Sequence, residues 1–372
     1  MKHHTRFYFF LFVLMTLITA CGGDVTTEDR SVDTPDEPIQ HVTFHGCTPW
    51  KADASIHDLY VNEDYDTVRE VYGLALAPNP IVTVMTYQYT ALAEYNGSSW
   101  QITKVPEKVA RAERLRRDGD TLYMTGITME KVPLLFSRTG GSWTEIPVPQ
   151  GVAEIKNIWV FNGSLLLLGE TDEMTPTLNA WQDGQWQEQA LPDLDQAYRI
   201  HGLWNLGDNL FTFGALLDDE GFASHGLALI RDANGSWQQL AVPEECELVK
   251  SVHGLDMDHL AVSGQTIKDQ AVFYRVTNQQ KKWTAHLDKN LFAYSSLWWL
   301  DEDHMMISGH TNPHISDTYG NYTNLWAVDI EEKVDSKFLQ EVSGYPREMN
   351  YEPTTHKVYL LTGRDLYSRT CR

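Results

Sequence analysis

Carboxylates and histidines set between apolar strands are the residues of this 372-residue chain whose types and spacing could do chemistry. Asp172 and Glu173 lie in the stretch 169–177, Asp218-Asp219-Glu220 in 214–226, and His310, His314 and Asp317 in 309–324, the longest of the three. Brought together, such loops would hold a cation or a basic ligand; dispersed, the same acids are a solvated surface, which a chain this acidic favours anyway. The run Asp218 to Gly221 lacks the alternating oxygen spacing of a calcium-binding helix–loop–helix. Zinc needs three or four ligands with a supporting shell, and neither His310 with His314 nor His41 with His45 supplies the rest. His259 and His304 each follow an Asp in a turn and read as turn residues. There is no Gly-x-Ser-x-Gly elbow, no phased Cys–His pair and no phosphate-cradling glycine run. Carboxylates are too numerous for one acid–base pair to stand out. No catalytic residue, metal site or cofactor is therefore assigned, and a non-enzymatic role is favoured.

The elements that must position these loops begin behind an export signal. Lys2 and Arg6 precede an apolar stretch, Phe7 to Ile18, that is too short to span a bilayer as a mature helix. The run Leu17-Ile18-Thr19-Ala20-Cys21 resembles the bacterial lipobox, which implies a signal peptide over 1–20 and lipidation of Cys21. Several acyl chains on that thiol, palmitate among them, would anchor the protein where one chain would not. Gly22 and Gly23 follow the Cys with no Asp directly after it, which by resemblance to enteric sorting implies the outer membrane of the cell envelope. Residues 21–42 are acidic and nearly devoid of apolar side chains, so they read as an extended tether. Over the whole chain 29 Lys plus Arg face 51 Asp plus Glu, a net charge of −22, which excludes a nucleic-acid footprint.

The rest, 43–372, is a set of repeats. Trp100, Trp143, Trp186, Trp237 and Trp283 each follow a short turn, and the first four precede Pro106, Pro149, Pro192 and Pro243. Gly126, Gly169, Gly214, Gly264, Gly309 and Gly363 end apolar stretches in the same phase, and Trp159, Trp204 and Trp299 fall at one earlier position. Each repeat reads as four short strands joined by Asn-Gly or Gly-Asp turns. Four strands per 40 to 50 residues make a β-propeller blade, so the expected fold is all-β, a seven-bladed β-propeller, with six or eight blades as alternatives. Residues 107–115 could form at most a turn or two of helix. Residues 46–50 are expected to lend the last blade, which begins near Met349, its missing strand. That places Cys47 against Cys371, and a disulfide there would rivet the ring for roughly 4 to 5 kcal/mol by the loop-entropy argument. Cys246 is left as a single buried thiol, the competing pairings of Cys246 with Cys47 or Cys371 being disfavoured because they would span separate blades.

The Gly-x-Trp turns resemble degenerate kelch and Asp-box repeats over about residues 70–372, with the kelch double glycine at Gly140-Gly141 and Asp183 and Asp232 near Asp-box positions. The resemblance implies a fold and little activity. Sialidases on such blades need an arginine triad, and galactose oxidases a copper site, neither of which can be assembled from this sequence. The expected function is a membrane-anchored extracytoplasmic scaffold or binding module. It would be monomeric, and a protein or glycan partner would meet its loop face. An outer-membrane assembly accessory, like the propeller lipoprotein of the β-barrel machinery, is one alternative. A secreted glycan-active hydrolase, with a deep central pocket holding two carboxylates and an Arg cluster, is the other.

Overall fold

The computed structural model describes residues 47–371 apart from 49, 57, 60–66, 77–78, 87–88, 267–270, 278–279, 286–290, 300–303, 312–321, 330–334, 344–345, 353–354 and 364. The lipobox with Cys21, the tether, His41, His45, His314 and Asp317 lie outside the described residues.

The strands follow from alternating or continuous apolar runs cut by glycine turns, and they assemble into seven four-stranded antiparallel sheets. The first holds β2 (Glu70–Ala75), β3 (Ile81–Met85), β4 (Thr90–Tyr95) and β5 (Trp100–Lys104). The second holds β6 (Arg111–Asp118), β7 (Thr121–Ile127), β8 (Pro133–Thr139) and β9 (Ser142–Glu145); the third, β10 (Glu154–Phe161), β11 (Ser164–Glu170), β12 (Pro176–Gln182) and β13 (Gln185–Gln189). The fourth comprises β14 (Tyr198–Leu206), β15 (Asn209–Leu217), β16 (Ala223–Arg231) and β17 (Trp237–Gln239), and the fifth β18 (Cys246–Gly254), β19 (Leu260–Thr266), β20 (Ala271–Thr277) and β21 (Gln280–Ala285). In the sixth are β22 (Leu291–Trp299), β23 (His304–Thr311), β24 (Tyr322–Asp329) and β25 (Asp335–Ser343). The last joins β26 (Pro346–Glu352), β27 (Lys357–Thr362) and β28 (Leu366–Thr370) to β1 (Lys51–Ala52) from the other end of the chain. Residues 107–115, expected to allow a helical turn, lead into strand β6 instead.

Each first strand packs on the first strand of the next sheet, from β2 through β6, β10, β14, β18 and β22 to β26, which returns to β2. That is a β-propeller, with the seven first strands around a central channel. Its core lies between sheets. Val71, Leu74, Val84 and Trp100 of the first sheet pack against Tyr359, Leu361 and Leu366 of the last, and Phe211, Phe213 and Ile230 of the fourth against Val249, Val262 and Tyr274 of the fifth.

Closure uses little pairing. Only Lys51↔Ser368 and Ala52↔Tyr367 are in register between β1 and β28, helped by Thr48 N–H donating to the Thr370 carbonyl at 2.8 Å and Asp53 N–H to the Leu366 carbonyl at 2.9 Å. The Cys47–Cys371 disulfide completes it, with Cα atoms 3.9 Å apart across 324 positions of sequence. Cys246 is free and buried, and burial pushes its thiol pKa up to about 12.

The outer-strand tryptophans are less buried than blade-to-blade packing alone would have them. Trp100 is buried, but Trp143, Trp186 and Trp237 are only partly covered. Their indole N–H groups instead tie neighbouring sheets: Trp143 Nε1 donates to the Lys104 carbonyl at 3.1 Å, Trp237 Nε1 to the Ala190 carbonyl at 2.8 Å, and Trp186 Nε1 to the Pro147 carbonyl. Trp100 Nε1 reaches Asp53 Oδ2 at 2.7 Å and so ties the first sheet to the closing segment.

Candidate functional site

The glycines that mark the repeat sit opposite a backbone irregularity. Ala112, Ile155, Ile200, Val249 and Tyr294 pair with Gly126, Gly169, Gly214, Gly264 and Gly309, and immediately after each the register of the first strand slips. β2 and β26 slip at the corresponding places, after Val71 and after Pro346. Every first strand thus carries a β-bulge, which leaves residues unpaired and re-aims their side chains. The glycine opposite lets the folded-back backbone approach: a Cβ on Gly214 would meet the Arg199 carbonyl oxygen at 2.0 Å, and one on Gly126 the Arg111 carbonyl oxygen at 2.6 Å.

The bulged residues are Tyr72 and Gly73, Glu113 and Arg114, Lys156, His201, Lys250, Ser295 and Arg347, one set per sheet. Five of the seven sheets present a basic type here. Tyr72, Glu113, Arg114, Lys156, His201 and Arg347 line a cavity of about 490 Å³ in the channel. Burial pushes the pKa of Arg114 down, against the pull of Glu348 and Glu113. Burial alone lowers that of Lys250. Burial, then the charges of Lys250, Arg114 and Lys156, hold His201 at about 3, so it is neutral at ordinary pH, and its Nε2 is buried without a hydrogen-bond partner. Burial also opposes the Lys156 charge, but Glu154 and Glu170, at 2.7 and 2.9 Å from its ammonium, outweigh that and raise its pKa. Arg116 is paired with Glu348 at 2.7 Å and Arg111 with Glu113. Arg347 lies 4.2 Å from the centre of the Tyr72 ring, whose hydroxyl donates to Glu70.

Farther along the first strands the channel wall turns aromatic. Arg116 stacks on Trp159 at 4.7 Å, Trp159 Nε1 donates to Asn205 Oδ1 at 2.8 Å, and Trp204, His253 and Trp298 follow one another at 4.9 and 4.0 Å. The expected alignment of Trp299 with Trp159 and Trp204 is corrected here. Trp159 and Trp204 pair with Leu166 and Phe211, positions matched by Trp298↔Met306, whereas Trp299 pairs with Met305. A one-residue slip moves a side chain to the other face of a sheet, and Trp299 is accordingly buried at 1 % exposure.

The loops between second and third strands open on the face where the first strands begin. Asp172 and Glu173 are exposed there, as are Asp218, Asp219 and Glu220. Asp218 Oδ1 accepts from the N–H groups of Glu220 at 3.0 Å and Phe222 at 2.9 Å, so its carboxylate organises its own turn. Thr171 does the same for the Asp172–Glu173 loop, accepting from the Thr175 N–H at 3.2 Å. His310 was expected in a loop but falls in β23, paired with Ala293 and Thr323. Among the described residues no three acids, histidines or cysteines come together as metal ligands. His259 Nδ1 lies 2.8 Å from Asp256 in its turn.

The same loops expose apolar side chains that the sequence reading passed over: Tyr89 in the first sheet, Met129 at 83 % and Val132 in the second, Met174 in the third and Phe222 at 66 % in the fourth. Four consecutive sheets therefore carry an apolar tip on one face.

No family model matches the chain, and no curated protein matches its sequence. Solved structures do resemble it in shape. A structure described as YCF48 bound to D1 peptide superposes with a TM-score of 0.60 at 11 % identity, covering 92 % of this chain and 100 % of that one. A streptogramin B lyase gives 0.58 at 12 %, over 88 % and 98 %, and the WD40 propeller domain of Doa1 gives 0.55 at 10 %, over 82 % and 93 %. At such identities the likeness establishes the propeller fold alone.

Proposed function

We propose that this chain is a non-catalytic binding propeller of seven blades, held in the cell envelope by lipid on Cys21, that docks a partner protein on the face bearing the second-to-third-strand loops. One observation carries the docking face: exposed apolar tips recur at the same loop in four consecutive sheets, Tyr89, Met129, Met174 and Phe222. Scattered surface hydrophobics need no explanation, but apolar groups gathered on one face and rimmed by charge mark interaction sites. That YCF48, a protein of this shape, has been solved with a peptide supports the reading without supplying the partner. The test is photo-crosslinking in cells with a photoreactive residue at Met129 or Phe222 and, as control, at Glu188 on the outer strand β13. Discrete adducts from the tips and none from position 188 are expected; equal labelling, or none, would remove the docking face. Adducts that proved to be barrel-assembly components would narrow the reading to an assembly accessory. Cys21→Ser should shift the protein from the membrane to the soluble fraction of the envelope, and unchanged membrane association would remove the anchor.

A second reading, a glycan-active hydrolase, is favoured by one observation: Tyr72, hydrogen-bonded to Glu70, shares the cavity with Arg111, Arg114 and Arg347. Against it, Glu113, Glu154 and Glu348 at the same cavity are each engaged by a cation. Turnover of a fluorogenic sialoside, lost in Tyr72→Phe, would establish this reading; no turnover would dismiss it.

A further inference from the structure

The bulges gather positive charge at one level of the channel in a chain whose net charge is −22. The carboxylates nearby are already engaged, Glu348 by Arg116, Glu113 by Arg111, and Glu154 and Glu170 by Lys156. Arg114, Lys250 and Arg347 have no carboxylate within ion-pair distance among the described residues. Arg114 acts electrostatically on His201 together with Lys250 and Lys156, and Arg347 acts on Arg114, so these charges feel one another. Arg114 and Lys250 are partly buried and Arg347 is exposed beside them, and burial of the first two charges without a partner opposes folding. His201 adds a neutral ring with an unsatisfied nitrogen to the same level.

We propose that the bulge ring binds a small oxyanion carrying at least two negative charges, of the polycarboxylate or pyrophosphate type. The cavity of about 490 Å³ is of small-molecule size, and Arg114, Lys156 and Arg347 reach it from three different sheets. A compact ligand with two or more anionic groups meets several of these cations at once, whereas a monovalent one meets fewer. Planar guanidinium groups suit the paired oxygens of carboxylate and phosphate alike. This site stands independently of the docking face, because it uses the first strands and not the loop tips.

Titration calorimetry of the purified protein with citrate and with pyrophosphate at low ionic strength tests it, with acetate as the monovalent comparison. One-to-one binding of either probe is expected, at least tenfold tighter than acetate and weakening with added salt. Citrate alone points to a carboxylate ligand and pyrophosphate alone to a phosphate. Arg114→Gln and Arg347→Gln, each removing a cation that lines the cavity, should each weaken binding at least tenfold, while Arg117→Gln, outside the ring, leaves it unchanged. Arg114→Gln should also melt higher than the unliganded parent and lose the rise in melting temperature that the probe produces. No saturable binding of either probe, or binding that the two ring substitutions leave intact, would overturn the proposal. Should one variant fail to fold, the other and the comparison with acetate decide it.

Discussion

Reduction of the Cys47–Cys371 disulfide is the perturbation with the most calculable effect. The bridge spans 324 positions, and the loop-entropy expression for a ring of that size gives ~19 cal/mol/K, or ~5.8 kcal/mol at 25 °C, an upper figure above the roughly 4 to 5 kcal/mol expected from the sequence. The noncovalent seam beside it is two residue pairs and a few hydrogen bonds, too little to hold the ends together against that entropy. An unfolding entropy of ~2.1 cal/mol/K per residue over these 324 residues makes each degree of melting temperature correspond to ~0.7 kcal/mol, so the full effect is a drop of ~8 °C. The assay is thermal unfolding of the oxidised protein, the reduced protein and a Cys47→Ala/Cys371→Ala variant, all carrying Cys246→Ala to prevent exchange. Reduced and variant proteins should melt together, well below the oxidised form. Oxidised and reduced forms melting within ~2 °C of one another would refute the reasoning, because the seam would then close the ring by itself.

Other substitutions probe the remaining links. Trp143→Phe, which removes the N–H donated to the Lys104 carbonyl, should cost about 1 kcal/mol; Trp143→Ala should cost about 2 to 3, less than full burial would imply, both read by denaturant titration. Gly214→Ala places a methyl 2.0 Å from the Arg199 carbonyl oxygen and should destabilise by at least about 2 kcal/mol, where an unchanged midpoint would disprove the close approach. His201 and His253 are both held by burial at about 3, so as pH falls below 6.5 the unfolded chain takes up two protons that the native state refuses. Native stability should drop by up to ~1.4 kcal/mol per histidine for each pH unit, ~3 kcal/mol in all between pH 6.5 and 5 because the unfolded imidazoles are already half protonated at 6.5. His201→Gln/His253→Gln should flatten that slope, and a parent protein equally stable at the two pH values would refute the assignment. Cys246 should resist alkylation at pH 8 until the protein unfolds, as its raised thiol pKa requires.

The strands were legible because each repeat carries its turns in sequence. Asn-Gly at 162–163 and Asp-Gly at 183–184 reverse the chain at positive φ, as the repeat's turns require. The pairing of Cys47 with Cys371 followed from phase alone. The candidate site was not legible, for a physical reason. A bulge leaves no mark on its own residue, since Arg114, Lys156 and His201 look like ordinary strand positions. The signal lay across the ladder, in glycines that read as strand ends and in fact make room for the bulge opposite. Trp299 misled because the repeat was phased on spacing, and one residue of register decides which face an indole takes. Met129 and Phe222 carry no mark of exposure in the sequence, since an apolar residue in a loop reads the same whether it folds inward or faces solvent.

The joining of the two chain ends in one sheet also governs how the protein bears load. Tension arriving at residue 47 meets the sulfur bridge before it meets any of the described strands, and passes directly to Cys371. Peeling β1 from β28 is therefore forbidden until a covalent bond breaks. Oxidised, the ring resists pulling as a closed hoop; reduced, the two-residue pairing of β1 with β28 would be its weakest seam, so a thiol reductant would act on it as a mechanical release.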